Sequence, residues 1–199
     1  MKEYCIFAYL AFSLSVLSQS ALGQGTFLFR NVLRSAGLDA PVFDSLGTPL
    51  SGTNFLAELW GAATPNTLSP AVVLDKGLGR EFAPFTFVAP GYFASSEGFL
   101  AISDIVPRGW AWLQVRAWDA RLGSTYEQVA ALGIGGYGES PLFYAQGGDP
   151  FDQFPTPAPL LGLQSFSLRP VVPEPSAATL LGLGLASFWW RRKKSNARN

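Results

Sequence analysis

The sequence predicts an all-β fold: a single antiparallel β-sandwich, jelly-roll or Ig-like, carrying one short helix. Three observations point there. From residue 25 onward, short β-prone runs separated by Gly, Pro, Asn and Asp recur at about ten-residue spacing, the rhythm of a sandwich or barrel. Trp110–Asp119 (WAWLQVRAWD) splits by strict alternation into two chemically different faces. Only one stretch carries both a helix start and a helix stop signal, and no internal repeat is visible, which sets aside propellers and solenoids.

Taken in order, residues 25–33 (GTFLFRNVL) open a strand at Thr26-Phe27-Leu28-Phe29, and residues 41–46 form the next, ended by the turn Gly47-Thr48-Pro49. Residues 53–60 (TNFLAELW) place Phe55, Ala57 and Leu59 on one face. Residues 71–75, 82–88 and 98–105 are further strands. In Trp110–Asp119 the small apolar face (Ala111, Leu113, Val115, Ala117) is predicted to meet the core, with Trp110, Trp112, Gln114, Arg116 and Trp118 opposite. Two readings of the Trp face stand side by side. Either a loop covers it and Arg116 stacks on indole rings, or it is an open aromatic platform for sugar rings.

The helix follows. Ser124 and Glu127 stand in capping-box spacing before Gln128-Val129-Ala130-Ala131-Leu132, and Gly133 closes the element. Gly133, Gly135 and Gly138 then spell G-x-G-x-x-G. A dinucleotide fingerprint must follow a strand and open a helix; this one follows a helix and leads to Pro141, so it is expected to be a flexible loop. Residues 141–145 are strand-like. Residues 147–159 are rich in turn formers, and Asp149 and Asp152 could lend carboxylates to a calcium site, although the Asp-x-Asp-x-Asp-Gly pattern is missing. Residues 161–168 are the last predicted strand, alternating Leu161, Leu163, Ser165 and Ser167 against Gly162, Gln164, Phe166 and Leu168.

Both ends of the chain look like addresses. Met1-Lys2 is a minimal positive region, residues 4–17 are apolar, and Ala21-Leu22-Gly23 is a small-x-small cleavage site before Gln24, so residues 1–23 are expected to be a signal helix. The domain would then span 24–170. Residues 171–199 have three parts. Val172-Pro173-Glu174-Pro175 is stiff, because each proline fixes its own φ and biases its predecessor away from helix. Residues 177–190 carry no charge and end in Trp189-Trp190, as an interfacial aromatic belt does. At fourteen residues the run is shorter than the roughly 20 a full crossing wants. The basic block Arg191, Arg192, Lys193 and Lys194 resists translocation and would hold the C-terminus in the cytoplasm as a stop-transfer signal.

This order of Pro-Glu-Pro motif, short apolar helix and basic cluster resembles the PEP-CTERM sorting signal of exopolysaccharide-producing Gram-negative bacteria. The resemblance covers residues 172 to about 194. It implies export through the translocon, transient anchoring by the C-terminal transmembrane helix, and cleavage by an exosortase near Pro173-Glu174-Pro175. The mature protein would then pass to the cell surface or beyond. The run from the Trp-rich strand through Ser-Thr-Tyr-Glu to Leu-Gln-Ser-Phe-Ser-Leu also resembles secreted β-rich proteins with this tail in environmental bacteria, Verrucomicrobia among them, and implies no activity.

Composition narrows the chemistry. The whole chain balances fourteen bases and fourteen acids, but residues 24–169 hold eight bases against twelve acids, a net charge of −4, which argues against a nucleic-acid partner. There is no His, and the one cysteine, Cys5, lies in the signal segment. Ser-His-Asp and Cys-His catalysis, zinc and haem are therefore excluded for the exported domain, and no cofactor is expected. A glycosidase would need two carboxylates across a cleft; Asp104, Asp119 and Glu139 exist, but the sequence cannot pair them. The expectation is a non-catalytic exported surface or matrix protein associated with exopolysaccharide. The alternative is a carbohydrate-binding module in which Trp110, Trp112 and Trp118 contact glycan.

Overall fold

The computed structural model describes residues 24–73, 79–153 and 156–172. In chain order the strands are β1 (Gly25–Leu28), β2 (Val32–Leu33), β3 (Leu38–Asp39), β4 (Val42–Phe43), β5 (Gly52–Ala62), β6 (Ser69–Pro70), β7 (Val72–Val73) and β8 (Gly79–Arg80). They continue as β9 (Ala83–Phe85), β10 (Leu100–Ile102), β11 (Trp110–Asp119), β12 (Tyr137–Glu139), β13 (Phe143–Gln146), β14 (Ala158–Pro159) and β15 (Phe166–Ser167). One α-helix, α1 (Tyr126–Leu132), lies between β11 and β12. The all-β class with one short helix is as the residue pattern indicated.

Two sheets share one apolar core. The smaller runs β14-β1-β10-β7-β8; the larger runs β12-β11-β5-β6, with β13 beside β11 and β9 beside β5. The long pair β5–β11 is its spine, in register from Phe55↔Asp119 to Ala62↔Trp112. Ala111, Leu113, Val115 and Ala117 are all buried, as are Ala57 and Leu59, and they meet Phe27, Leu100 and Ile102 of the smaller sheet. The sheets close most tightly at Gly61. A Cβ there would lie 2.7 Å from both Ile102 Cδ1 and Leu113 Cδ2.

One edge of β11 is shared by two strands, β12 along Arg116 to Trp118 and β13 along Trp110 to Leu113. The register slips by one residue between them, at Ser140-Pro141. Proline cannot donate to a ladder. Ser140 repairs the break: its N–H donates to Val115 O (2.9 Å) and its Oγ accepts from Val115 N (3.0 Å).

Three expectations need correction. The pairing is not wholly antiparallel: β1 pairs with β14 in the smaller sheet, and β4 with β15 as a separate two-stranded sheet, in parallel, because the turn-rich stretch after β13 returns the chain to run beside its own N-terminal strands. The helix cap sits one residue later than expected. Thr125 Oγ1 accepts from Gln128 N, and Gln128 Oε1 reaches back to Ser124 N, so Gln128 rather than Glu127 completes the box. The last strand shrinks to two residues. A turn at Leu161-Gly162, with Gly162 at φ 96°, breaks the alternation, so Leu160, Leu163, Phe166 and Leu168 are the buried ones.

Candidate functional site

The outward face of the larger sheet concentrates the chain's aromatic and ionic side chains. Pairing of β5, β11, β12 and β13 sets them in rows: Leu56–Trp118–Tyr137, Glu58–Arg116–Glu139, Trp60–Gln114, and Trp112–Tyr144. The rows differ sharply in exposure from one end to the other.

At the Trp118 end the face is closed. Helix α1 lays Tyr126 and Val129 over Trp118, with Leu56, Phe82 and Leu122 around it. Trp118 is fully buried, stands edge-on to Phe82 at 5.2 Å, and donates its indole N–H to Gly123 O at 3.1 Å. Its expected role as a glycan contact is therefore corrected: a small second core takes this ring. The helix is placed here by its own sequence, because Tyr126 and Val129 lie on one side of it.

The middle of the face is an interlocked layer of arginines and rings. Arg116 lies 3.7 Å above the centroid of Trp60 and 5.0 Å from that of Tyr126, and its Nε donates to Gln114 Oε1. The stacking expected of Arg116 exists, but on Trp60 of the neighbouring strand, not on its own strand's indoles. Burial and the adjoining Glu139 push the Tyr126 hydroxyl well above its ordinary value. That hydroxyl donates to Glu139 Oε2 at 3.1 Å. Arg169 joins the layer from the end of the domain, donating to the Tyr137 hydroxyl and lying 4.8 Å over its ring.

The far end is open. Tyr144 of β13 has Trp110 stacked at 5.1 Å and an interplanar angle of 21°, and Trp112 tilted at 5.0 Å. Trp110 is 52 % and Tyr144 50 % exposed, and Trp112 is half-buried. Gln146 is exposed beside Trp110, with its amide donating to Arg108 O. The surface therefore offers apolar rings bordered by an amide. Tyr144 and Trp60 escaped sequence reading because only strand register brings them to Trp112 and Arg116.

The other candidates fall elsewhere. Asp149 and Asp152 converge on Arg108, at 3.6 Å and 2.5 Å, so a guanidinium occupies the position a cation would take. Asp119 is clasped by Arg121 and Glu139 by Tyr126. No group of three His, Cys, Asp or Glu side chains that could hold a metal exists among the described residues. The G-x-G-x-x-G stretch is a loop only as far as Gly136, because Gly138 lies in β12 and pairs with Ala117, so the flexible loop expected there is corrected. Gly133 ends α1 in the left-handed region at φ 71°, while Gly135 and Gly138 pack against the chain's final described residues.

Of the sorting residues only Val172 falls within the described part. Pro173, Glu174, Pro175, Arg191, Arg192, Lys193 and Lys194 lie outside it, as do the signal segment and the expected C-terminal transmembrane helix. Among the described residues no helix is long and apolar enough to cross a membrane. Residues 171–193 match the family model of the PEP-CTERM protein-sorting motif. The motif marks the chain as an exosortase-sorted, exported protein. Neither the curated proteins nor the solved structures include a match to this chain.

Proposed function

We propose that the chain is a non-catalytic surface or extracellular-matrix protein of a Gram-negative, exopolysaccharide-producing bacterium. In this reading residues 1–23 are removed on export, residues 177–190 anchor the precursor transiently, and Arg191 to Lys194 stay cytoplasmic until an exosortase cuts near Pro173-Glu174-Pro175. The domain delivered is a β-sandwich of jelly-roll or Ig-like kind. The observation that carries the reading is the sorting motif at residues 171–193. Intact-mass spectrometry of the native secreted protein tests it. The expected species ends at about Pro175; a secreted species that still holds Arg191 to Lys194 would overturn it.

A second reading is favoured by one observation, the half-exposed ring cluster of Trp110, Tyr144 and Trp112. In this reading the domain holds polysaccharide by stacking sugar rings on that cluster, with Gln146 supplying a directional hydrogen bond. Pull-down on the host's own exopolysaccharide should weaken about tenfold in both Trp112→Ala and Tyr144→Ala. Equal retention of both variants and the parent would sink it.

A further inference from the structure

The last described residues of the domain are bonded to the glycine loop right up to the sorting motif. Phe166 and Ser167 pair with β4, and Leu168 N donates to Phe43 O at 2.9 Å. The chain then runs antiparallel to residues 134–137: Arg169 N donates to Tyr137 O (2.8 Å), Gly136 N to Arg169 O (2.9 Å), and Val172 N to Ile134 O (2.6 Å). Two glycines make this approach feasible. A Cβ on Gly135 would lie 1.9 Å from Pro170 O, and one on Gly138 2.5 Å from Ser167 O. Gly135 also sits at φ 95°, where side chains are strained.

Val172, the last residue of this docked strap, is also the first of the Pro-Glu-Pro motif. An enzyme that cuts a chain grips it extended on either side of the scissile bond, through backbone hydrogen bonds as in strand addition. Backbone donors are scarce here, because Pro170, Pro173 and Pro175 have none. On the domain side of the motif that leaves Arg169, Val171 and Val172, and the N–H groups of Arg169 and Val172 are already given to the glycine loop.

We propose that the strap 169–172 is a gate on exosortase processing, which Gly135 and Gly138 hold shut. The inference rests on the reading of residues 171–193 as an exosortase signal. The strap must peel from residues 134–137 before the enzyme can take the motif. The cleavage itself is unchanged: the scissile carbonyl carbon passes to water or a surface acceptor's nucleophile, and the amine leaves on the discarded tail. Three backbone hydrogen bonds of ordinary net strength leave the strap open in roughly one molecule in ten to one in two thousand. Processing is slowed by that fraction.

The test follows pulse-labelled full-length chain in its own host and times the mass shift of processing. One variant inserts Gly-Ser-Gly-Ser between Pro170 and Val171, which frees an intact motif without touching the glycine loop. The other is Gly135→Ala, which displaces the strap. Both are expected to be processed at least about threefold faster than the parent. The insertion decides the matter, because Gly135→Ala could also perturb folding. If the parent is cut and the insertion variant is cut no faster, the gate is wrong and the exosortase reading stands. If neither parent nor variants are cut, the exosortase reading fails and takes the gate with it.

Discussion

Arg80 grips Glu58 at two points, its Nη2 2.6 Å from Glu58 Oε2 while its Nε meets Oε1, on the outward face of the larger sheet. Glu58 is wholly buried, and the indole N–H of Trp60 supplies a further bond at 2.8 Å. Arg80 extends on to Glu127 of α1 at 3.0 Å, so one guanidinium ties β8, β5 and the helix together. Removing it strands a buried carboxylate. Arg80→Ala should cost about 3–5 kcal/mol in urea unfolding, and Arg80→Met with Glu58→Leu should recover at least half of that. A single-variant loss under about 1 kcal/mol would show that Glu58 is not paired as described.

Trp118 and Trp112 lie on the same strand face and should respond oppositely. Trp118→Ala removes a fully buried ring and should cost about 3–5 kcal/mol of stability. Trp112→Ala at the open end should cost much less in thermal unfolding and, if the domain holds polysaccharide as the second reading proposes, should weaken that capture. Equal destabilisation by the two would contradict the division of the face into a closed and an open end.

Acid should loosen the outward face. Burial alone would raise the Asp119 carboxyl, but the contact with Arg121 outweighs it and holds the group below its ordinary 3.8. Burial likewise opposes Arg80 at Glu127, which ends below its ordinary 4.5. A depressed carboxyl contributes stability that is complete above its unfolded value and lost as pH falls through the folded one. Melting temperature should therefore hold down to about pH 4.5 and decline below it, less steeply in Asp119→Asn. Tyr126 has the reverse sign: its raised hydroxyl stabilises below its unfolded value near 10 and ceases to as pH climbs above that. A melting temperature unchanged between pH 5 and pH 2.5 would refute the acid limb.

Gly61 tests the sheet-to-sheet contact. An added methyl meets Ile102 of one sheet and Leu113 of the other, both side-chain tips, so those two side chains must move aside to admit it. Gly61→Ala should destabilise by about 1–3 kcal/mol. No loss, or a gain, would mean the sheets stand further apart than 2.7 Å from that Cβ position allows.

Much of the fold could be read from the residues, and the exceptions share a cause. The β11 alternation was legible because period-two burial is local: Ala111, Leu113, Val115 and Ala117 all face inward. The fate of the opposite face was not, because helix α1 and the register with β5 decide which ring is covered, and both are long-range. Asn31 gave no signal at all. It is buried, donating to Ala40 O and Gly91 O and accepting from Phe93 N, and so staples three separate segments. The partner of Asp149 and Asp152 was not legible, because Arg108, far off in sequence, arrives between them. The sorting motif was legible because its parts are contiguous in the chain.

The parallel pairs β1–β14 and β4–β15 have a consequence for the order of events during export. Strands near the domain's N-terminus are completed by strands near its C-terminus, so β1 and β4 wait with an open edge until nearly the whole domain has crossed. Such distant closures are slow, since the loop entropy is lost before the contacts form. The strands that finish the fold are also the ones that lead directly into the tail. If the tail is a membrane segment as proposed, its arrival at the membrane coincides with the first chance for the domain to close, and an exported chain cut short before β14 would be a sticky half-sheet rather than a smaller version of the protein.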